Sequence, residues 1–197
     1  MMSYLTKRRL TSAFLLLLTL VGAKAEEFTV DGIQYSTDSS SEGEVAVAGL
    51  ENATGEITIP STVSYEGVEY EVTGIKGYIQ SEGVTSIAIP SSVANIGEFA
   101  FANYTSLVSI TVSEQNAVYS SKDGALYDKN QTVLYCVPRK WAGTEFSVPS
   151  SVTSIANFAF VYCNGLTSIK IPASVMTIGN AAFGDCIYNH RTTKTNQ

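Results

Sequence analysis

The sequence predicts a β-rich solenoid in which short coils of chain stack along one axis and share a continuous core. Three observations carry this: an internal period that brings the pattern at Phe146 back at Ile169, a short alternating strand at the same place in each period, and a proline closing that strand. Phe146-Ser147-Val148-Pro149-Ser150-Ser151-Val152-Thr153-Ser154-Ile155 returns one period later as Ile169-Lys170-Ile171-Pro172-Ala173-Ser174-Val175-Met176-Thr177-Ile178. Upstream, Ile87-Ala88-Ile89-Pro90 is followed at the same interval by Ile110-Thr111-Val112. One such unit cannot bury its apolar face alone, so a fixed period of this size implies units stacked on their neighbours.

Ahead of the repeats, Lys7-Arg8-Arg9 precede an apolar run from Leu10 to Val21 and then Ala23-Lys24-Ala25. A basic start, an apolar centre and small residues around Lys24 read as a signal peptide covering residues 1–25. The run is shorter than the roughly 20 residues a membrane span needs, and no later stretch approaches that length. Without residues 1–25 the chain keeps eight basic against eighteen acidic residues, a net charge of −10. That balance, with no basic stripe, excludes nucleic acid and anionic lipid as main partners, since both reward clustered Lys and Arg.

Residues 26–56 are expected to form a cap. Phe28-Thr29-Val30-Asp31-Gly32-Ile33-Gln34-Tyr35 reads as an Asp-Gly hairpin, and Val63 to Tyr70 around Glu66-Gly67 as another. The 57–186 array follows. Each unit opens with a leucine three positions before the alternating pair, as in Leu107-x-x-Ile110-x-Val112 and Leu166-x-x-Ile169-x-Ile171. Alternation of period two makes that a strand with one buried face, and the strands should line up as a parallel ladder. Proline at 90, 149 and 172 ends it, having no N–H to donate. Ile-Gly-x-x-Ala-Phe then carries the apolar set around the back, with short helical or 3₁₀ turns expected there.

Two units depart from the period. Ile75 to Ile87 is two positions shorter than the equivalent Ile155 to Ile169, so that coil should be shortened. Ile110 to Phe146 far exceeds the period, giving an enlarged coil at 113–145. Within it Ala125-Leu126-Tyr127-Asp128 and Val133-Leu134-Tyr135 flank a polar turn and read as a hairpin, expected to protrude. Residues 187–197 read as a polar tail, leaving the last coil uncovered. An uncovered apolar coil suits self-association.

The unit Leu-x-x-Ile-x-Ile-Pro-x-Ser-Val-x-x-Ile-Gly-x-x-Ala-Phe-x-x-Cys resembles the BspA-type leucine-rich repeat, abundant in surface and secreted proteins of host-associated bacteria and of some mucosal protozoa. The resemblance covers residues 57–186. It implies a right-handed leucine-rich-repeat solenoid, a secreted or cell-surface address, and adhesive or ligand-binding roles with no catalytic residues or cofactor to carry over.

The residues themselves offer little catalytic chemistry. His190 is the single histidine and lies in the polar tail, away from any partner that a triad or metal site would need. Asp123-Gly124 and Asp128-Lys129-Asn130 lack the spacing of a calcium loop and read as turns. The acidic residues lie mostly on turns, which disfavours a glycan hydrolase. Cys163 and Cys186 hold one repeat position a coil apart, close enough for a disulfide, yet equivalent side chains in a ladder point the same way and pack as small hydrophobes. Cys136 has no base nearby in sequence. Asn52-Ala53-Thr54, Asn103-Tyr104-Thr105 and Asn130-Gln131-Thr132 are glycosylation sequons, relevant only in a eukaryotic pathway.

Two surfaces are candidates for contact with an extracellular protein or glycan. The outward strand positions Ser86, Ala88, Ser109, Thr111, Glu145, Ser147, Ser168 and Lys170 form a small, hydroxyl-rich strip. The enlarged coil concentrates Tyr119, Tyr127, Tyr135 and Trp141, and aromatics dominate interface hot spots, though packing within the hairpin is expected to take most of them and leave Trp141 exposed.

Overall fold

A computed structural model describes residues 26–37, 41–50 and 52–186, together with the backbone of 191–194. The signal-peptide reading and His190 lie outside the described residues. The chain is a β-solenoid whose strands pair in parallel from coil to coil. On the front, Thr54–Thr58, Gly83–Ile89 and Ser109–Val112 form one ladder, with Ile57 and Ile110 in register on either side of Ile87. A second front ladder joins Glu145–Ser147, Ser168–Ile171 and Arg191–Lys194, each pairing displaced by one period. Arg191–Lys194, read from the sequence as polar tail, therefore continues the front ladder by one strand.

Apolar residues recur inward on every strand. Ile87, Ile89, Ile110, Phe146, Ile169 and Ile171 are all buried, while the positions between them face out. The back of the array is built from two-residue bridges, Asn95–Ile96 on Val68–Ile75, and Ser154–Ile155 between Val133–Cys136 and Thr177–Ile178. At the N-terminal end Glu27–Val30, Ile33–Ser36 and Glu44–Gly49 form a meander whose last strand runs parallel to Val68–Ile75. Phe28 stacks on Tyr65 with ring centres 4.2 Å apart, closing that end of the core with aromatic area.

Three two-residue hairpin loops share one chemistry. Asp31-Gly32, Glu66-Gly67 and Asp123-Gly124 all have positive φ at both positions, from 49° to 80°, the type I′ geometry that matches strand twist. This agrees with reading Asp123-Gly124 as a turn. Asp128 serves the same end: its carboxylate accepts the N–H of Thr132 and of Val133 at 2.6 Å each and the Thr132 hydroxyl at 2.8 Å, fixing the loop to the next strand.

The expected helical turns do not form among the described residues. Each Ile-x-x-x turn contains one residue in the left-handed region, Tyr78, Phe99, Phe158 and Ala181, with φ between 45° and 61°. A left-handed residue in the middle of the turn breaks the run of right-handed dihedrals that even a 3₁₀ turn requires. The shortened coil is as expected: Ile75 pairs with Ile96, short of a full period, whereas Gln80 pairs with Asn103, one full period on.

The enlarged coil differs most from expectation. Ala125–Asp128 and Val133–Cys136 do form the antiparallel hairpin, and Tyr119–Lys122 adds a third strand. The hairpin does not protrude; it crosses the interior. Leu126 packs in the N-terminal core with Leu107 and Ile110, whereas its neighbours Ala125 and Tyr127 pack in the C-terminal core with Phe146 and Phe160. Successive side chains point to opposite faces of a strand, so one strand walls off two cores and serves both. Buried Asn116 fastens this insertion to the coil before it: Nδ2 donates to the Pro90 and Val93 carbonyls at 2.8 Å, and Oδ1 accepts the N–H of Val118 and Tyr119.

Truncating the wall should be felt on both sides. Leu126→Ala is expected to cost about 2–5 kcal/mol in urea unfolding, with fluorescence and circular dichroism losing their common midpoint as the halves uncouple. A loss below about 1 kcal/mol would contradict this role for the strand.

Candidate binding surfaces

The outward strip exists but is divided. The register sets Ser86 between Glu56 and Ser109, and Ala88 between Thr58 and Thr111. Glu145 lies beside Ser168, and Ser147 beside Lys170, in the separate second ladder. There Lys170 Nζ meets Glu145 Oε2 at 3.4 Å, an exposed pair of small energetic weight. Between the patches the Asp123-Gly124 turn rests on Ser109: a Cβ added to Gly124 would lie 3.2 Å from the Ser109 hydroxyl.

That turn is held by Trp141, whose indole N–H donates to the Asp123 carbonyl at 2.6 Å. The Trp141 ring meets Phe146 edge-on at 5.1 Å and packs on the C-terminal core. Trp141, expected to be exposed, is thus half-buried and structural, because an indole with both an apolar neighbour and a carbonyl in reach is drawn inward. Tyr127 is corrected more fully: at 1% exposure it belongs to no surface. Tyr135 remains exposed, edge-on to Tyr119 at 5.7 Å.

Tyr135 lines a cleft that sequence reasoning missed. Leu134 pairs with Ile155, and the Val137 N–H donates to the Ala159 carbonyl just as the Phe160 N–H donates to Ala182 one coil later. Between these fixed points the enlarged coil has only Tyr135 and Cys136, where its neighbour has the longer stretch 156–159. Its back turn is therefore missing, and a cleft of about 460 Å³ opens in its place, with Leu126, Tyr135 and Val137 among the lining residues. The flanking turns lean together across the gap: Phe99 and Phe158 have ring centres 3.6 Å apart, and Asn157 Nδ2 donates to Glu98 Oε1 at 3.2 Å.

One residue signals the gap. A Cβ added to Gly97 or Gly179 would collide with the turn of the preceding coil, Gly77 and Asn157 respectively, so those turns need glycine for close approach. The equivalent of Gly97 in the next regular coil is Ala156, which lines the cleft. Its methyl fits because no turn lies beneath it.

The left-handed turn residues form an aromatic ladder along the same edge. Tyr78 stacks on Phe99 at 5.2 Å, Phe99 packs on Phe158, and the series ends at Ala181. Tyr78 is 67% exposed.

Cys136, Cys163 and Cys186 are free thiols. Cys163 donates to the Val137 carbonyl and Cys186 to the Phe160 carbonyl, so the repeated cysteine ties one coil to the previous one without a covalent bond. Burial pushes the Cys136 thiol up to about 12, and it raises Cys163 as well, away from the thiolate. Among the described residues no three His, Cys, Asp or Glu side chains gather as metal ligands.

Those thiols, with Tyr35 pushed up to about 12 mainly by burial, set an alkaline limit. The folded state holds these protons more tightly than the unfolded chain, which releases them near the ordinary values of 9.0 and 10.0. The associated stability is complete below about pH 9 and is lost as pH rises toward about 12. Urea midpoints should agree at about pH 7 and about pH 8 and fall clearly by about pH 10.5; a flat profile would contradict the burial.

The sequence profile of the family described as BspA type leucine rich repeat region matches residues 73–135 and 134–196. A leucine-rich repeat protein from Bacteroides ovatus ATCC 8483 is similar in structure, with a TM-score of 0.53 at 28% identity over 85% of this chain and 43% of that one. A leucine-rich repeat protein from Bacteroides capillosus ATCC 29799 gives 0.43 at 23% identity, over 86% and 99% of the two chains. The pneumococcal vaccine antigen PcpA gives 0.49 at 15% identity, over 85% and 70%. No curated protein matches.

Proposed function

The chain belongs to the BspA-type leucine-rich repeat family, and from that premise we propose that it is a non-catalytic binding protein acting outside the cell or at its surface, adhering to a host protein or glycan through its repeat array. The observation that carries this reading is the preformed cleft of about 460 Å³, a volume in the range of ligand sites. It is set in an array that otherwise presents shallow, hydroxyl-bearing strands. The export signal read in residues 1–25 supports the address, and the strong net negative charge of the remainder supports a partner that is not itself polyanionic.

The test is capture of solubilised mucosal glycoproteins and extracellular-matrix proteins by the purified protein, repeated with Ser109→Arg on the strand face and Tyr135→Ala in the cleft. The wild type is expected to retain a partner, and Tyr135→Ala to weaken it about ten-fold, about 1.4 kcal/mol. If only Ser109→Arg loses the partner, the strand face is the binding surface. A wild type that captures nothing while circular dichroism shows it folded overturns the reading.

A second reading, assembly, has its own observation. Ile155 is 1% exposed beneath the following coil, whereas its equivalent Ile178 is 49% exposed, next to Met176 at 80%. An apolar edge of this kind suits stacking on another copy. Light scattering should then show mass rising with concentration, and Ile178→Glu should suppress the rise; a strict monomer at high concentration removes this reading.

A further inference from the structure

The first front ladder ends in an open edge. Thr54–Thr58 pairs with Gly83–Ile89 on one side, and among the described residues no strand pairs with its other side. The Ile59 N–H donates to the Ala88 carbonyl at 3.0 Å, and alternate residues of a strand bond to alternate sides. Ile57 and Ile59 therefore turn their backbone groups into the ladder, whereas Glu56 and Thr58 each direct an N–H and a C=O to the open side. The side chains agree. Ile57 shares its register position with Ile87 and Ile110, which are fully buried, yet it is only half-buried because no coil covers it.

A groove of about 530 Å³ lies beside this edge, lined by Glu56, Ile57 and Thr58 and by Val30, Ile33 and Val63 of the N-terminal hairpins. An unpaired edge is a template for one more strand: main-chain hydrogen bonds supply affinity, and apolar surface beside the edge selects every second side chain. A glycan has no N–H and C=O groups at strand spacing with which to answer Glu56 and Thr58.

Charge narrows the class of partner. Residues 26–95 hold twelve acidic residues against one basic residue, Lys76, whereas residues 96–197 hold six against seven. The negative charge is thus concentrated in the half that contains the open edge. Asp31 and Glu56, both exposed, stand at the groove itself. The field there favours cations. On an added strand, residues facing inward would cover Ile57, and the residues between them would come beside Glu56, so the matching pattern alternates apolar and basic side chains.

We infer that the open edge of Thr54–Thr58 is a second binding surface, which takes an extended polypeptide segment of alternating apolar and basic residues as an added strand. It shares no lining residue with the cleft and goes beyond the reading given for that site.

Fluorescence anisotropy of the purified protein with the labelled peptide Gly-Lys-Val-Lys-Ile-Lys-Val-Lys-Gly tests it. One control replaces each Lys by Glu. Two others keep the charge: N-methyl groups on Val and Ile block a parallel added strand, and N-methyl groups on Lys block an antiparallel one. The basic peptide is expected to bind, the acidic one at least about ten-fold more weakly, and one N-methylated form, not both, to lose about ten-fold. Thr58→Pro removes an N–H from the open side alone, so the ladder to Gly83–Ile89 stays intact while the basic peptide binds about ten-fold more weakly. Tyr135→Ala should leave its binding unchanged. Should Thr58→Pro fail to fold, the two N-methylated forms decide the matter on the wild type.

No binding of the basic peptide to folded protein overturns the inference, as does an N-methylated pair that binds alike. Binding that Tyr135→Ala removes places the peptide in the cleft and overturns it too. If the peptide does not bind and light scattering shows self-association that Thr58→Pro abolishes, the edge belongs to a second copy and the peptide assignment falls. Failure on any of these counts leaves the cleft to be judged by its own capture experiment.

Discussion

A strand that is buried on both faces must satisfy two cores at once, and Ala125–Asp128 is such a strand. Leu126 completes the N-terminal core and Tyr127 the C-terminal one. In a regular solenoid each coil contacts only its neighbours, so stability is close to a sum of local terms and segments can open separately. The insertion changes that. It replaces one coil by an antiparallel meander whose alternate residues are shared, and the hydrogen bonds of Asn116 and Asp128 fix its entry and its loop. The halves are thereby coupled through side-chain packing, where ladder bonds alone would join only their edges.

The same insertion creates the cleft. A meander that returns directly from Leu134 to Val137 has no chain left for a back turn. The surrounding coils respond as packing physics requires, by bringing aromatic rings together across the gap, yet they cannot close it, since their positions are set by strand register on either side. The site is therefore a by-product of two rigid ladders held at a distance by the meander. Its walls belong to paired strands and packed turns, so binding there would not have to meet the cost of ordering a loop.

Much of this is legible in the sequence. The period, the prolines and the alternation of Ile169-x-Ile171 or Ile110-x-Val112 locate the front strands, since a backbone period of two and a buried face leave little freedom. Asp-Gly and Glu-Gly locate the hairpin loops, because few residues accept positive φ twice. The back turns read wrongly as helical because Phe99, Phe158 and Tyr78 carry no mark of a left-handed conformation; their dihedrals are imposed by stacking of coils and not by local preference. The candidate surface is half legible. The strand strip follows from alternation, whereas Tyr127 and Trp141 cannot be placed without knowing that the hairpin turns inward, which depends on contacts far apart in sequence. Ala156 in place of glycine is the one visible sign of the cleft, and its meaning depends on what is absent from the coil before it.

The thiols of Cys163 and Cys186 hydrogen-bond to carbonyls of the preceding coil and cross-link nothing. Many small exported domains depend on oxidation to complete their fold. Here the described coils are joined by ladder bonds, packed hydrophobes and thiol donors, all of which persist under reducing conditions. The contacts between the described coils therefore hold alike in reducing and in oxidising media.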